Sequence, residues 1–330
     1  ATLSSNCSRC RVYVGARLNM KTGYLTHSDY DLHITPDGHP EQVDRLNVIN
    51  ERLSKLDFND LEKILSPMGT YDQVTLCHPR EYVDYIKNSC PPVGSISLDG
   101  DTHVNSGSFN AAMRAVGSIC EAVDLVVNRN LQNAFCASRP PGHHAEKAKP
   151  MGFCLFGTIA IAAKYAMKTH GLSRVAIIDF DVHHGNGTQN LVWDDPNIMF
   201  VSSQQIPLWP GTGERHETGA FNNIINYPLN PDMDGQDLIE AYKKEILPKI
   251  AEFEPEMLFI SAGFDAHVND PLANLNFTTN DFKILTKLLC KFADTYCKGR
   301  VVSTLEGGYD LPSLRECVDA HVKVLMEHAK

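Results

Sequence analysis

Five short apolar runs in this chain each stop at a cluster of polar and glycine residues, and that punctuation restricts the folds open to it. Asn133–Ser138 runs into Arg139-Pro-Pro-Gly-His143-His144, and Val175–Ile178 into Asp179-Phe-Asp181-Val-His183-His184-Gly. Ile198–Ser202 leads to Ser203-Gln204, Met257–Ser261 to Ala-Gly-Phe-Asp265-Ala-His267, and Val301–Leu305 to Glu306-Gly-Gly-Tyr309. Short apolar runs bounded by turn residues read as buried strands. Helical patterns lie between and before them: Phe109–Val127 with Ser108 as its expected N-cap, Thr158–His170 stopped by Gly171, Asp237–Ile250 and Asp281–Lys298. Leu311–His328 reads as a closing helix. Strand–helix alternation implies right-handed crossovers, so the expected fold class is α/β, a mainly parallel sheet with helices on both faces. Such sheets bind ligands beyond the carboxyl ends of their strands, where all five polar clusters fall.

The chain has 330 residues and shows no repeat, low-complexity segment or linker, so residues 1–330 are expected to form one domain. No apolar run approaches the roughly 18 residues of a membrane span. A formal charge of −10 with dispersed Lys and Arg argues against binding a nucleic-acid backbone. Several of the ten cysteines, such as Cys136, Cys154 and Cys290, lie in apolar stretches. They are expected to be reduced, as in a cytoplasmic protein. Cys7-x-x-Cys10 has no second pair nearby and reads as a local disulfide or a chance spacing.

Asp179, Asp181 and His183 alternate, which places them on one face of a strand. Such a charge density at a strand end needs a counter-ion, and this donor set suits a divalent metal. A catalytic zinc takes about three protein ligands and leaves one position open. Asp181, His183 and Asp265 can supply them; His183 is preferred to His184 because it shares the face of Asp181. His143 and His144 follow a stiff Pro-Pro-Gly turn. Adjacent imidazoles resist being charged together, so one of the two is a candidate general base. Tyr309, after two glycines, is a candidate donor to a developing oxyanion. Metal, base and donor together describe hydrolysis of an amide or ester. Gly185-Asn-Gly187 lacks the Lys and spacing of a phosphate loop, and no serine-nucleophile elbow occurs.

Taken in order, these motifs resemble the zinc-dependent histone deacetylase family, which includes bacterial deacetylase-like amidohydrolases and acetylpolyamine amidohydrolases. The matching stretches are Arg139-Pro-Pro-Gly-His143-His144-Ala, Gly152-Phe153-Cys154, Asp179 to Gln189, Pro210-Gly-Thr-Gly213, Ser261-Ala-Gly-Phe-Asp265-Ala and Glu306-Gly-Gly-Tyr309. The resemblance runs from about Gly38-His-Pro-Glu41 to the C-terminus. It implies an arginase–deacetylase fold with a central eight-stranded sheet. It implies that Asp181, His183 and Asp265 hold Zn2+, that His144 is the general base, and that Asp179 keeps His143 positively polarised. Tyr309 becomes the oxyanion donor. Phe153 and Trp209 become walls of an acyl-lysine tunnel, and the Gly152 carbonyl accepts from the substrate amide. A potassium ion is implied near Asp179, held by main-chain oxygens of Asp181, His183 and Ser203 and by the Ser202 hydroxyl. Asp101 roughly matches a position that grips the substrate backbone.

The departures are specific. Asn186, with Thr188-Gln189, resembles the class II subgroup, where an amide replaces the aspartate paired to the base histidine. An amide should leave that histidine less basic. Tyr309 stands where weakly active members carry histidine, which implies an active enzyme. Gln204 stands where many relatives have histidine and is expected to alter the rim. Trp209 is bulkier than the usual phenylalanine and should narrow the tunnel. Lys21–Gly38, with His27, Asp29, Asp31 and His33, is expected to form another rim loop, a second metal there being the less favoured option. The expected activity is removal of acetyl groups from lysine side chains of proteins or peptides. An acetylated polyamine or other small amide is the alternative substrate. A two-manganese arginase-like enzyme needs more carboxylates, and a scaffold without activity would not need this whole set. No nucleic-acid or membrane partner is expected, and the oligomeric state is left open.

Overall fold

The computed structural model describes residues 20–329, so the Cys7-x-x-Cys10 pair lies outside the described residues. Its strands are β1 (Thr22–Thr26), β2 (Glu62–Leu65), β3 (Ser95–Ser97), β4 (His103–Asn105) and β5 (Asn133–Cys136). They continue as β6 (Val175–Asp179), β7 (Ile198–Gln205), β8 (Ile224–Leu229), β9 (Leu258–Ala262) and β10 (Val301–Leu305). Eight of them form one sheet in the order β2-β1-β5-β10-β9-β6-β7-β8, with every neighbouring pair parallel. β3 and β4 form a separate antiparallel pair.

Alternation along each strand feeds two apolar cores. Val175 and Ile177 pack on the face covered by the helices Ser108–Val127 and Thr158–His170. Ala176 and Ile178 pack on the opposite face, under Thr279–Tyr296 and Leu311–His328. Burial on both faces is why the strand reads as an unbroken apolar run rather than an alternating one. Each fully buried isoleucine contributes about 1.5–3 kcal/mol by transfer from water.

Thr158–His170 and Leu311–His328 have the expected bounds, and Gly171 closes the first in the left-handed region at φ 67°. Three helical expectations need correction. Ser108 is the first helical residue, not the cap; its hydroxyl contacts Asn105 and His33. The helix expected at Asp237–Ile250 begins at Gly235, capped by the Asp234 carboxylate, and passes through a π turn at Tyr242–Ile246 before ending at Phe253. The helix expected at Asp281–Lys298 spans Thr279–Tyr296, because Thr278 and Asp281 form a capping box. Lys21–Gly38 is not simply a rim loop. Its first part is β1, paired with both β2 and β5, and a 3-10 turn follows at Ser28–Leu32.

No helix among the described residues is long and apolar enough to cross a membrane. The cysteines among the described residues are free thiols, all buried except the half-buried Cys90. The arrangement that matters for chemistry is local: β5, β10, β9, β6 and β7 are consecutive in the sheet. The five polar strand ends therefore meet along one edge.

Candidate active site

At the centre of that edge, Asp181, His183 and Asp265 bring one ligand atom each to within 4.8 Å of one another. His183 Nδ1 lies 3.3 Å from Asp181 Oδ1 and 3.0 Å from Asp265 Oδ2. The backbone aims both carboxylates. Val182 N–H donates to Asp265 Oδ1 at 2.9 Å, and Gly307 N–H donates to Asp181 Oδ2 at 2.8 Å. Burial works against a charge on His183, but Asp181 and Asp265 outweigh it and raise its pKa to about 10. Two fully buried carboxylates would be costly without a cation, so these donors fit a divalent metal. Its binding would release a proton from His183 and tighten as pH rises. His184 is directed elsewhere, to Thr212 Oγ1 at 2.8 Å and Gln189 Oε1 at 3.1 Å.

The two adjacent histidines have unlike partners. His143 Nδ1 donates to Asp179 Oδ2 at 2.9 Å, whereas His144 Nδ1 meets the Asn186 side-chain oxygen at 2.8 Å. Burial opposes the His143 cation, but the carboxylates of Asp181 and Asp179 raise its pKa well above the ordinary value. His144 moves the other way. Burial lowers its pKa, and the neighbouring His143 and His183 lower it further. The two neighbours are thus driven in opposite directions, His143 towards the cation and His144 towards the neutral imidazole. Glu306, at the end of β10, accepts from the N–H groups of Gly142 at 2.7 Å and His143 at 3.1 Å and from Ser261 Oγ at 3.1 Å. It fixes the turn that carries both histidines.

Tyr309 is held from two sides. Its N–H donates to Asp270 Oδ2 at 2.6 Å, and the Arg45 guanidinium lies 4.9 Å from its ring centre. Arg45 also donates to the carbonyl of Gly308 at 2.7 Å and to that of Glu306. Arg45 and Arg139 both pair with Glu41, and all three are fully buried. Burial raises the Tyr309 phenol well above its usual pKa, so it remains a donor.

A cavity of about 350 Å3 opens above these groups. His144, His183 and Tyr309 line its floor; Gly152, Phe153 and Trp209 its sides; Asp101, His39, His103, Leu208 and Leu272 its mouth. Gly152 has φ +55°, and a Cβ there would strike the His144 and Trp209 rings. Phe153, at φ 67°, is a non-glycine residue in the left-handed region, a costly conformation that its surroundings enforce. Its ring stands edge-on to His39 and Tyr309, with centres 4.7 and 5.9 Å away. Trp209 stands edge-on to His144 at 4.7 Å. The Asp101 carboxylate accepts from Thr102 Oγ1 at 3.2 Å, and the Asp101 carbonyl contacts His39 Nε2 at 3.0 Å.

Beside Asp179, Ser203 Oγ donates to the Asp179 carbonyl at 3.3 Å, while the buried Ser202 hydroxyl has no hydrogen-bond partner. An orphaned buried hydroxyl costs about 1–3 kcal/mol, so its oxygen fits a cation such as potassium. The expectation for Gln204 at the rim is corrected. Gln204 is fully buried, with its side-chain amide donating to the Gly213 carbonyl at 2.6 Å, because β7 continues past Ser202 into the core. His27 and His33 are used locally: His27 accepts from Asp29 N–H at 3.0 Å, and His33 contacts Ser108 and Glu41. Asp181, His183 and Asp265 form the one such ligand cluster found among the described residues. Glu41, Arg45, Glu146, Asp270, Leu208 and Leu272 contribute to the site without a role assignable from sequence pattern alone. For Glu306 and Glu41 the usable signal was a carboxylate inside a glycine- or proline-flanked motif.

The model of the histone deacetylase domain matches residues 39–325. Type-2 histone deacetylase 2 of Dictyostelium discoideum is 35% identical over 95% of this chain, which spans 21% of that protein. An uncharacterized protein of Synechocystis is 39% identical, the match covering 89% of this chain and 96% of that one. A probable deacetylase of Archaeoglobus fulgidus is 35% identical over 88% of this chain and 82% of its own length. The crystal structure of the HDA15 HD domain superposes with a TM-score of 0.89 at 30% identity, covering 94% of this chain and 89% of that one.

Proposed function

Because this chain belongs to the histone deacetylase family, we propose that residues 1–330 act as one zinc-dependent catalytic domain that removes acetyl groups from lysine side chains of proteins or peptides. The observation that carries this reading is the convergence of Asp181, His183 and Asp265 beneath a cavity whose floor also holds His144 and Tyr309. A zinc ion held by those three residues would polarise the acetyl carbonyl and lower the pKa of water from 15.7 towards 7.

His144, neutral at physiological pH, takes the proton of the attacking water and returns it to the leaving amine. His143, held as a cation over Asp179, keeps His144 from charging prematurely. The Tyr309 hydroxyl donates to the carbonyl oxygen as negative charge gathers there. Phe153 and Trp209 flank the lysine stem, the Gly152 carbonyl accepts from the substrate amide, and Asp101 accepts from the substrate backbone. Potassium would be held by Ser202 Oγ and by main-chain oxygens of Asp181, His183 and Ser203, and would supply positive charge beneath Asp179. The free, mostly buried thiols support a reducing compartment such as the cytoplasm.

A long polycation would favour carboxylates at the mouth. Asp101 is the one carboxylate that lines it among the described residues, and Leu208 and Leu272 are apolar. This favours the peptide over the acetylated polyamine. Turnover of an acetyl-lysine peptide should exceed that of acetylspermidine and stop on removal of the metal by a chelator. Preference for the polyamine, or activity that survives chelation, would overturn the reading.

A further inference from the structure

Asn186 stands between His144 and a carboxylate that no sequence motif singled out. Its Oδ1 lies 2.8 Å from His144 Nδ1, and its Nδ2 lies 2.9 Å from Glu146 Oε1. These contacts constrain one another. An ionised carboxylate only accepts, so the end of the amide that faces Glu146 must be its NH2 group. The other end is then the carbonyl oxygen, which also only accepts. His144 Nδ1 must therefore carry the proton, and in a neutral imidazole that leaves the lone pair on Nε2.

We infer that Glu146 is a positioning residue: acting through the Asn186 amide, it sets which nitrogen of His144 is the base. The inference rests on the reading of His144 as the general base. Glu146 is itself pinned. Its N–H donates to the Lys149 carbonyl at 3.0 Å, Lys147 N–H donates to Asn190 Oδ1 at 3.0 Å, and the Lys147 carbonyl accepts from His78 Nδ1 at 3.1 Å. Asn186 is buried at the start of the helix Asn186–Val192, with Met151 Sδ 3.4 Å from its Nδ2. A half-turn of its amide would set a carbonyl oxygen against the carboxylate and an NH2 group against the Nδ1 proton. The relay also explains what an amide achieves at this position. A carboxylate bonded directly to His144, like Asp179 on His143, would fix the same tautomer but favour the charged imidazolium. The amide transmits the direction of the Glu146 carboxylate without placing its charge on the ring.

Glu146→Lys tests this, because it replaces an acceptor with a donor. Lysine would draw the Asn186 oxygen towards itself and turn the NH2 group to His144, moving the ring proton to Nε2. The expected result is a fall in kcat on an acetyl-lysine peptide of about 10²–10⁴, the scale of a lost or wrongly protonated base, with KM held within about threefold. Adding Asn186→Asp should restore kcat by at least about tenfold, since a carboxylate accepts from both the lysine and His144 Nδ1–H. Imidazole 15N shifts, with His144 assigned through His144→Gln, should report Nδ1–H in the unmodified protein, Nε2–H in Glu146→Lys and Nδ1–H in the double variant. Equal losses with and without Asn186→Asp, or a His144 that stays protonated on Nδ1 in Glu146→Lys, would overturn the inference. The shifts need no turnover, so a chain inactive on the peptide would defeat the deacetylase reading separately from the relay.

Discussion

The floor and the mouth of the cavity are built on different principles. On the floor, the functional side chains follow the ends of central strands, and several are held by backbone N–H groups or buried ions: Asp181 by Gly307, Asp265 by Val182, Tyr309 by Asp270 and Arg45. At the mouth, Leu208, Leu272 and Asp101 come from separate loops, and Trp209, on the side wall leading to it, is still 42% exposed. Groups oriented in advance act on charge as it develops, where each is worth several kcal/mol. Groups on exposed loops mainly choose what enters. Substitutions on the floor should therefore reduce kcat steeply, while those at the mouth should move KM and acyl preference modestly.

The largest effect is expected from Asp265→Asn. It takes one negative charge out of the proposed metal site and leaves His183 with one carboxylate instead of two. Loss of metal-assisted chemistry worth several kcal/mol should lower kcat at least about 10³-fold. Metal content per chain, measured beside the rate, checks the cause: metal should be lost together with activity. Tyr309→Phe comes next. It should lower kcat by about 10²–10³ while the metal stays bound, because one oxyanion donor is worth ~2.7–4 kcal/mol. Unchanged turnover in that variant would remove Tyr309 from the floor.

A smaller effect separates the side chain from its support. Asp270 takes the Tyr309 N–H at 2.6 Å and the Asp310 N–H at 3.3 Å without touching the cavity. Asp270→Ala should lower kcat by about tenfold, because it removes the hydrogen bonds that fix the Tyr309–Asp310 backbone, and leave KM nearly unchanged. The pH profile gives a further check on the floor. A base must be neutral to act, and the His144 pKa is lowered by burial and by the neighbouring His143. The acid limb of kcat/KM should lie below the ordinary histidine value of 6.5. A limb at or above 6.5 would mean that His143 does not hold its charge beside His144.

The same contrast governs what could be read from the sequence. Asp179, Asp181, Asp265, Glu306 and Tyr309 stand out because each lies at or within four residues of the end of an apolar run, and the depth of the sheet forces such runs. β1, β2 and β8 did not stand out. β2 is an edge strand with mostly exposed residues, and β8 carries Pro228, which speaks against a strand in a local reading. The Glu41–Arg139 ion pair joins residues 98 positions apart, so no local pattern marks it. Glu146 was hidden in the charged stretch Glu-Lys-Ala-Lys, where three of the four residues are exposed. Leu208, Leu272 and the placement of Trp209 depend on loops with no periodicity.

The mouth supplies the finest test. Asp101 is half-buried, and burial together with the nearby Asp99 raises its pKa, so its contribution should appear only once pH rises through that raised value. Asp101→Ala should raise KM by about two- to tenfold, with kcat little changed, in keeping with one hydrogen bond of ~0.5–1.5 kcal/mol. Trp209→Phe should do less to acetyl-lysine turnover, at most about tenfold, because an edge-on aromatic contact is worth ~0.5–1.5 kcal/mol. Its effect should lie in selectivity. The Trp209 ring stands edge-on to His144 and lies where a Cβ on Gly152 would fall, so a smaller ring widens the cavity where the lysine stem meets the acyl group. The ratio of butyryl-lysine to acetyl-lysine turnover should therefore rise in the variant. If kcat fell as steeply as in Tyr309→Phe, Trp209 would belong with the floor, its contact with His144 mattering more than its place at the entrance.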